Sequence, residues 1–273
     1  MKKVIETSFK SQDHTLYGIY EEPENPRSSL ILLLHGLTNS HTDCPLIADA
    51  TIELHKNRFS TFRFDYFGSG KSEGEFKDKT FAILHKNTID ALKFITEKVG
   101  YKRVGLWGRS LGAILGATLC DDTSIFASVF ISFCIHTDES FARFFPKDKK
   151  FSLPIRGTGK IKGKPILPFK FYEETKWIDA LQKEHLAKAK NILIMQGTQD
   201  KTVYDLDWAK EIYDLVREPK KLQYIEGADH AYKDYEKKVI KQGIKWFLEE
   251  DERNESDLSF WKNVATYKSF GLC

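Results

Sequence analysis

Cysteine is scarce in this 273-residue sequence, and the four cysteines show no paired spacing. Cys44, Cys120, Cys134 and Cys273 are scattered without a C-x-x-C motif. Zinc sites and small disulfide frameworks depend on such spacing. The sequence therefore predicts free thiols and no metal site.

Long apolar runs and an excess of one charge are also missing. The longest apolar run, Leu30 to Leu34, has five residues, whereas a membrane span needs about 20. The opening MKKVIETSFK lacks the apolar stretch of a signal peptide. Lysine and arginine (42) exceed aspartate and glutamate (39) by a net +3, which is too little for a general affinity for nucleic acid or membrane surfaces. We expect a cytoplasmic protein without a membrane span or a nucleic-acid partner, and the sequence is compatible with a homodimer.

Short apolar runs alternate along the chain with segments of helical periodicity. Leu30 to Leu34 is continuously apolar, as in a strand buried on both faces, whereas residues 1–20 alternate as in an antiparallel hairpin. Alternation of strands and helices predicts a mostly parallel sheet of about eight strands with helices on both sides. Further strands are expected around residues 60–64, 104–107, 126–133, 192–195 and 222–225, and a helix ending near Glu250.

One long segment, from about His136 to Lys183, interrupts this rhythm with four prolines and many aromatic residues. Long connections in compact domains are often functional lids, so we interpret the segment as an inserted cap. The predicted units are the first part of the core at 1–135, the cap at 136–185, the second part of the core at 186–250 and a C-terminal extension at 251–273. Aromatic residues predicted to line a substrate pocket are Phe144, Phe145, Phe169 and Trp177.

The predicted cap is strongly basic. Between Lys147 and Lys170 there are eight lysines and arginines and only Asp148 as an acid, a local charge of +7. Such a stretch is either a solvated loop or a basic rim that attracts an anionic group. The sequence leaves both interpretations open.

The strongest chemical motif is G-x-S-x-G at Gly108 to Gly112, centred on Ser110. It follows a predicted strand and precedes a predicted helix, which is the setting of a nucleophile elbow. A serine hydroxyl needs an adjacent base, and the base needs an acid that fixes its tautomer. The motif therefore predicts that Ser110 is a nucleophile.

Candidates for the base and the acid follow two later strands. Asp200 comes after the strand near 192–195, and His230 comes after the strand near 222–225. The carboxyl ends of parallel strands meet at one edge of a sheet, where ligands bind. We therefore predict Asp200 as the acid and His230 as the base, with Asp138 as an alternative acid.

These features resemble the α/β-hydrolase superfamily, over about residues 1–250. Within it, the segments HGLTNS, RFDYFGSGKSEGEF, QGTQDKTV and EGADH are similar to cinnamoyl and feruloyl esterases and related cap-bearing carboxylesterases. The resemblance implies an oxyanion hole formed by the backbone N–H groups of Leu37 and Leu111. His35 is then expected to hold the oxyanion loop. Arg109 departs from the histidine common at its position, and we expect it not to touch the triad.

The resemblance implies a serine esterase that needs no cofactor and acts on a small-molecule ester, with small or aromatic acyl groups of the cinnamoyl type as the first expectation. An acylglycerol lipase, a thioesterase or a small peptidase would use the same residues. A non-catalytic binding protein on the same scaffold is the alternative from another class. Gly68 to Ser72 resembles the end of a phosphate-binding loop, but the full motif fails because Asp65 stands where its first glycine is required.

Overall fold

A computed structural model describes residues 3–146, 150–155, 163–203 and 205–269, with side chains described up to residue 253. The strands are β1 (Lys3–Ser11), β2 (His14–Glu22), β3 (Leu30–Leu34), β4 (Ser60–Phe64), β5 (Val104–Arg109), β6 (Ile125–Ile131), β7 (Ile192–Gly197) and β8 (Lys220–Ile225). The α-helices are α1 (Pro45–Lys56), α2 (Phe81–Lys93), α3 (Leu111–Ala117), α4 (Thr137–Ala142), α5 (Phe169–Glu173), α6 (Thr175–Leu186), α7 (Leu206–Leu215) and α8 (Glu236–Ser269).

The eight strands form one sheet in the order β1-β2-β4-β3-β5-β6-β7-β8. The pairs from β4 to β8 are parallel, and β1 and β2 form an antiparallel hairpin at one edge. Both the predicted hairpin and the predicted mostly parallel eight-stranded sheet are confirmed. Because these strands are parallel, the carboxyl ends of β5, β6, β7 and β8 lie at the same edge of the sheet.

Both faces of the sheet are covered, as the continuous apolar run in β3 predicts. Ile31 and Leu33 pack into a core that includes side chains of α1 and α8. Leu30, Leu32 and Leu34 pack into the core on the other face, with side chains of α2, α3 and α6. Successive strand residues point to opposite faces, so one strand supplies both cores.

Among the residues described between β6 and β7, three helices lie in the range predicted as a cap. Helices α4 and α5 are short, and α6 packs against α3, α4 and α7. Ile178 and Leu186 of α6 are buried in the core of the sheet. The cap boundaries stay a prediction, but α6 connects the cap range directly to the main core.

Helix α8 continues to Ser269, so the prediction that it ends near Glu250 is wrong. The acidic run after Glu250 suggested an end because the apolar periodicity stops there. Instead, Asp251 is fully buried and accepts hydrogen bonds from Arg27 at 2.9 Å and from Arg103 at 2.8 Å. The guanidinium groups of Arg27 and Arg103 thus stabilise the carboxylate of Asp251, which the sequence indicated as part of an exposed segment. Over the described ranges, no helix combines the length and the apolar character needed to cross a bilayer.

Candidate active site

Ser110 occupies the sharp turn between β5 and α3. Its φ of 54° lies in the left-handed region that side chains rarely adopt, and such strain is concentrated at functional sites. The neighbouring glycines are required sterically: a Cβ on Gly108 would lie 2.6 Å from the Cα of Ala113, and a Cβ on Gly112 would collide with the carbonyl of Leu34. The local sequence therefore forces the serine side chain out of the turn.

Ser110, His230 and Asp200 meet at the carboxyl edge of the sheet. His230 Nε2 lies 3.1 Å from Ser110 Oγ, and His230 Nδ1 lies 2.7 Å from Asp200 Oδ2. These partners fit an imidazole that donates from Nδ1 to the carboxylate and accepts the serine proton at Nε2. The structure brings the three predicted residues together, and the carboxylate that bonds the imidazole is that of Asp200. Asp138, the alternative acid, instead accepts a hydrogen bond from the backbone N–H of Glu139 at the start of α4.

Asp200 is held by several donors. Its Oδ1 accepts the backbone N–H groups of Thr202 at 2.8 Å and Val203 at 2.9 Å, and its Oδ2 accepts Gln196 Nε2 at 3.2 Å. Burial raises the pKa of Asp200, but the hydrogen bond and charge of His230, with the hydrogen bonds of Val203 and Ser132, outweigh burial and leave the pKa below its usual value. The carboxylate is therefore ionised at neutral pH.

His230 is held as a neutral base. Burial and the positive charge of Arg109 lower its pKa, and the hydrogen bond to Asp200 opposes them without reversing the shift. Arg109 Nη2 donates to the backbone carbonyl of His230 at 2.7 Å, and Nη1 donates to Asn39 Oδ1 at 3.3 Å. The expectation that Arg109 does not touch the triad is wrong, because its long side chain reaches the backbone carbonyl of His230.

The loop after β3 is fixed from within. His35 Nδ1 donates to the carbonyl of Gly36 at 2.7 Å, and its Nε2 accepts the backbone N–H of Tyr66 at 3.3 Å. Burial lowers the pKa of His35 to about 4, so the imidazole is neutral at neutral pH. Buried Lys79 supports the same loop, since its Nζ donates to the carbonyl of Leu37 at 3.3 Å. Leu37 and Leu111, the predicted oxyanion donors, both line the cavity at Ser110.

A cavity of about 700 Å³ opens above Ser110. Its apolar wall includes Ile114, Phe141, Phe144 and Ile155. Of the four aromatic residues predicted for the pocket, Phe144 lines this cavity. The other three have contacts elsewhere and stay a prediction as pocket residues: Phe145 stacks on Tyr172 and meets the edge of Phe169, and Trp177 is 42% exposed against His85. Phe145, Phe169 and Tyr172 pack on one another as a small aromatic cluster.

Ser132 and Gln196 were missed by sequence reasoning. Ser132 directly follows β6 with a φ of 49°, its Oγ lies 2.9 Å from the Tyr232 hydroxyl, and its hydrogen bond to Asp200 helps to lower the pKa of that carboxyl. The available signal was position, since both residues lie at the strand ends that carry the predicted triad. Over the described ranges, no three His, Cys, Asp or Glu side chains are grouped as a metal ion would require.

Comparisons with known proteins agree with this architecture. A family model described as serine aminopeptidase, S33, matches residues 25–158. An uncharacterized 31.7 kDa Escherichia coli protein from the traX-finO intergenic region is 34% identical over 111 residues, a match that spans 38% of this chain and 38% of that relative.

Solved structures match most of the chain. Est1E from Butyrivibrio proteoclasticus, solved with ferulic acid bound, superposes with a TM-score of 0.77 at 18% identity, covering 89% of this chain and 98% of Est1E. The esterase domain of a Rhodothermus marinus protein gives a TM-score of 0.69 at 15% identity, covering 90% of this chain and 98% of that domain. At these identities the structures show the shared fold. The sheet order, the elbow at Ser110 and these structural matches together show that the chain has the α/β-hydrolase fold.

Proposed function

We propose that this protein is a serine hydrolase that cleaves carboxylic esters through an acyl-enzyme intermediate. The observation that carries the proposal is the continuous chain of contacts from Asp200 through His230 to Ser110, at 2.7 and 3.1 Å. Such a chain turns a weakly nucleophilic hydroxyl into an effective one.

Ser110 Oγ attacks the ester carbonyl while His230 Nε2 accepts the hydroxyl proton. The tetrahedral oxyanion accepts hydrogen bonds from the backbone N–H groups of Leu37 and Leu111, which act on charge that develops in the transition state. His230 then delivers its proton to the leaving alcohol, and the acyl group remains on Ser110. Water, deprotonated by the same imidazole, attacks the acyl-enzyme and releases the acid. Asp200 stays ionised throughout and stabilises the imidazolium.

For the acyl group, we propose small or aromatic acids of the cinnamoyl type. The apolar wall of Phe141, Phe144 and Ile155 beside Ser110 supports this choice, as aromatic walls suit planar acyl groups. The ferulic acid bound to Est1E supports the same choice of acyl group, by analogy between proteins of the same fold. Acylglycerols, thioesters and short peptides are competing substrates for the same triad.

The test is hydrolysis of 4-nitrophenyl esters of increasing chain length, methyl ferulate, an acylglycerol and an aminoacyl 4-nitroanilide, with Ser110→Ala in parallel. We expect ester turnover by the native protein and a loss of several orders of magnitude in the variant. A fluorophosphonate probe should label the native protein and leave Ser110→Ala unlabelled.

Preferential cleavage of the anilide would favour a peptidase. Absence of both turnover and labelling would contradict the proposed hydrolase and favour a binding protein on this scaffold. Gln199→Ala, at an exposed cavity residue outside the triad, is the control that shows whether a single cavity substitution by itself abolishes turnover.

A further inference from the structure

The charged side chains around the cavity at Ser110 are mainly cationic. Arg109, Arg143 and Lys201 line it together with one acid outside the triad, Asp229. Asp229 Oδ1 accepts the backbone N–H of Ala231 at 2.9 Å. The cavity therefore has an excess of positive charge over its apolar wall.

Arg143 is held against the cavity wall by contacts with Phe144 and with the loop that carries Lys201. The guanidinium of Arg143 lies 4.8 Å from the ring centre of Phe144, and it donates to the backbone carbonyls of Lys201 at 3.2 Å and Thr202 at 3.4 Å. These contacts hold Arg143, at the end of α4, against the loop that carries Lys201. A guanidinium has five N–H donors, so the two carbonyl contacts do not exhaust its capacity to bind an anion.

Arg109 contacts other groups of the protein. Its Nη atoms contact Asn39 Oδ1 and the carbonyl of His230, and these contacts hold the side chain between the two loops. Among the described residues that line the cavity, Arg143 and Lys201 are the exposed cations, whereas Arg109 is half-buried. Phe141 and Phe144 line the same cavity.

We propose that this site selects esters that carry a second, ionised carboxylate, which Arg143 and Lys201 bind while Phe144 contacts the chain between carboxylate and ester. The inference rests on the proposed function and adds the class of substrate. A planar carboxylate matches the guanidinium fork, and a positive cavity raises the local concentration of an anionic substrate.

The direct test compares two esters that differ in charge alone: 4-nitrophenyl hemiadipate and 4-nitrophenyl 5-carbamoylpentanoate, its neutral amide. We expect kcat/KM for the anion to exceed that for the amide by about tenfold at low salt, and the ratio to fall as ionic strength rises. A second pair, 4-carboxyphenyl and 4-carbamoylphenyl butyrate, places the carboxylate on the alcohol side. A preference in the first pair assigns the anion to the acyl side, and a preference in the second pair assigns it to the leaving group.

The variants Arg143→Met and Lys201→Met should lower the anion-to-amide ratio towards one. Lys188→Met is the matched control, since Lys188 is an exposed lysine that pairs with Glu184 away from the cavity, and its ratio should stay that of the native protein. Equal turnover of anion and amide in both pairs would overturn the proposal. So would a ratio that falls equally in Lys188→Met and Arg143→Met.

A binding measurement separates this proposal from the proposed function. Ser110→Ala keeps the cavity cations, and calorimetry should show tighter binding of hemiadipate than of the amide. If the native protein hydrolyses no ester while Ser110→Ala still prefers the anion, the esterase proposal fails and the anion site stands. If esters are hydrolysed and neither pair shows a preference in binding or turnover, the anion site is wrong and the esterase proposal stands.

Discussion

At the scale of single residues, Arg109 joins the two loops that the proposed chemistry needs. It bonds the carbonyl of His230 and the side chain of Asn39, and its guanidinium packs so closely on Gly36 that a Cβ there would lie 2.9 Å from Nη1. Its charge also disfavours the imidazolium form of His230, which Asp200 and Asp229 favour. Arg109 is therefore a positioning residue that also influences the base.

Replacing Arg109 by methionine should raise the pKa of His230, because a positive charge near the imidazole is lost. The acid limb of the pH profile of kcat/KM, which reports the base in the free enzyme, should then move to higher pH. The misplaced base should also lower kcat about 10- to 100-fold. Arg109→Lys keeps the charge, so its acid limb should stay near that of the native protein even if kcat falls. Equal acid limbs in the native protein and Arg109→Met would show that the arginine acts by position alone.

The meeting of Ser110, Asp200 and His230 could be predicted because each residue follows a recognisable strand, and parallel strands end together. The contacts of Arg109, Ser132 and Gln196 could not be predicted, because they depend on side-chain length and on which loops the fold brings together. The contacts of Phe145 and Trp177 could not be predicted for a related reason. Aromatic composition indicates a small core as readily as a binding wall, and only packing decides between them.

At the scale of secondary structure, Asp179 joins α6 to the start of α4. Its Oδ2 accepts the backbone N–H of Thr137 at 2.9 Å, and its Oδ1 accepts Gln182 Nε2 at 3.2 Å. Burial raises the pKa of Asp179 to about 6. The carboxylate is ionised at neutral pH, but burial makes its charge less favourable in the fold than in the unfolded chain.

Asp179→Asn should increase the free energy of unfolding at pH 8 by about 1–2 kcal/mol. Asparagine can keep the bond to Thr137, and after an amide flip its N–H₂ can donate to Gln182 Oε1, a buried atom with no partner among the described residues. The gain should disappear near pH 4, where the native aspartate is already protonated. Urea unfolding at both pH values measures the difference, with the exposed Glu97→Gln as control for the loss of one negative charge. A gain of equal size at both pH values would contradict this account.

The strands could be predicted from the sequence more readily than the elements near the cavity. Leu30–Leu34 is a strand over the predicted residues because burial on both faces leaves an uninterrupted apolar run. Helices α4 and α5 have six and five residues, too few to show a period of 3.6. The end of α8 was misplaced because the ion pairs of Asp251 with Arg27 and Arg103 join residues more than 140 positions apart, which no local pattern records.

At the scale of the whole molecule, buried bases make stability depend on pH. Burial lowers the pKa of His35 and His85 to about 4 and that of Lys79 to about 7. A base whose pKa is lower in the folded state costs no stability above its unfolded pKa, and it lowers stability as pH falls from the unfolded pKa to the folded pKa. Stability should therefore decline from about pH 10 to 7 on account of Lys79, and again below about pH 6.5 on account of the histidines.

Buried thiols act in the opposite direction at high pH. Burial raises the pKa of Cys134 to about 12 and that of Cys120 still further. The thiols contribute fully to the free energy of unfolding below about pH 9. Above that pH the contribution is lost, because the unfolded chain releases the thiol protons and the folded chain keeps them. The opposing effects place the maximum of stability on the alkaline side of neutrality, at about pH 8–9.

Lys79→Met should remove the part of this dependence that lies between pH 7 and 9. Lys79 is fully buried, with Nζ 2.6 Å from Ser69 Oγ and 4.7 Å from the ring centre of Phe76, so its proton is bound in the unfolded chain and released in the folded one across that range. One such proton changes the free energy of unfolding by at most about 1.4 kcal/mol per pH unit. Urea unfolding at pH 6, 7, 8 and 9 should show stability rising with pH in the native protein and in the exposed control Lys93→Met, and a flat profile above pH 7 in Lys79→Met. The decline in stability below pH 6.5 should persist in all three proteins, since it comes from the histidines. A native profile that is flat from pH 7 to 9 would contradict this account, because it would mean that Lys79 keeps its proton inside the fold.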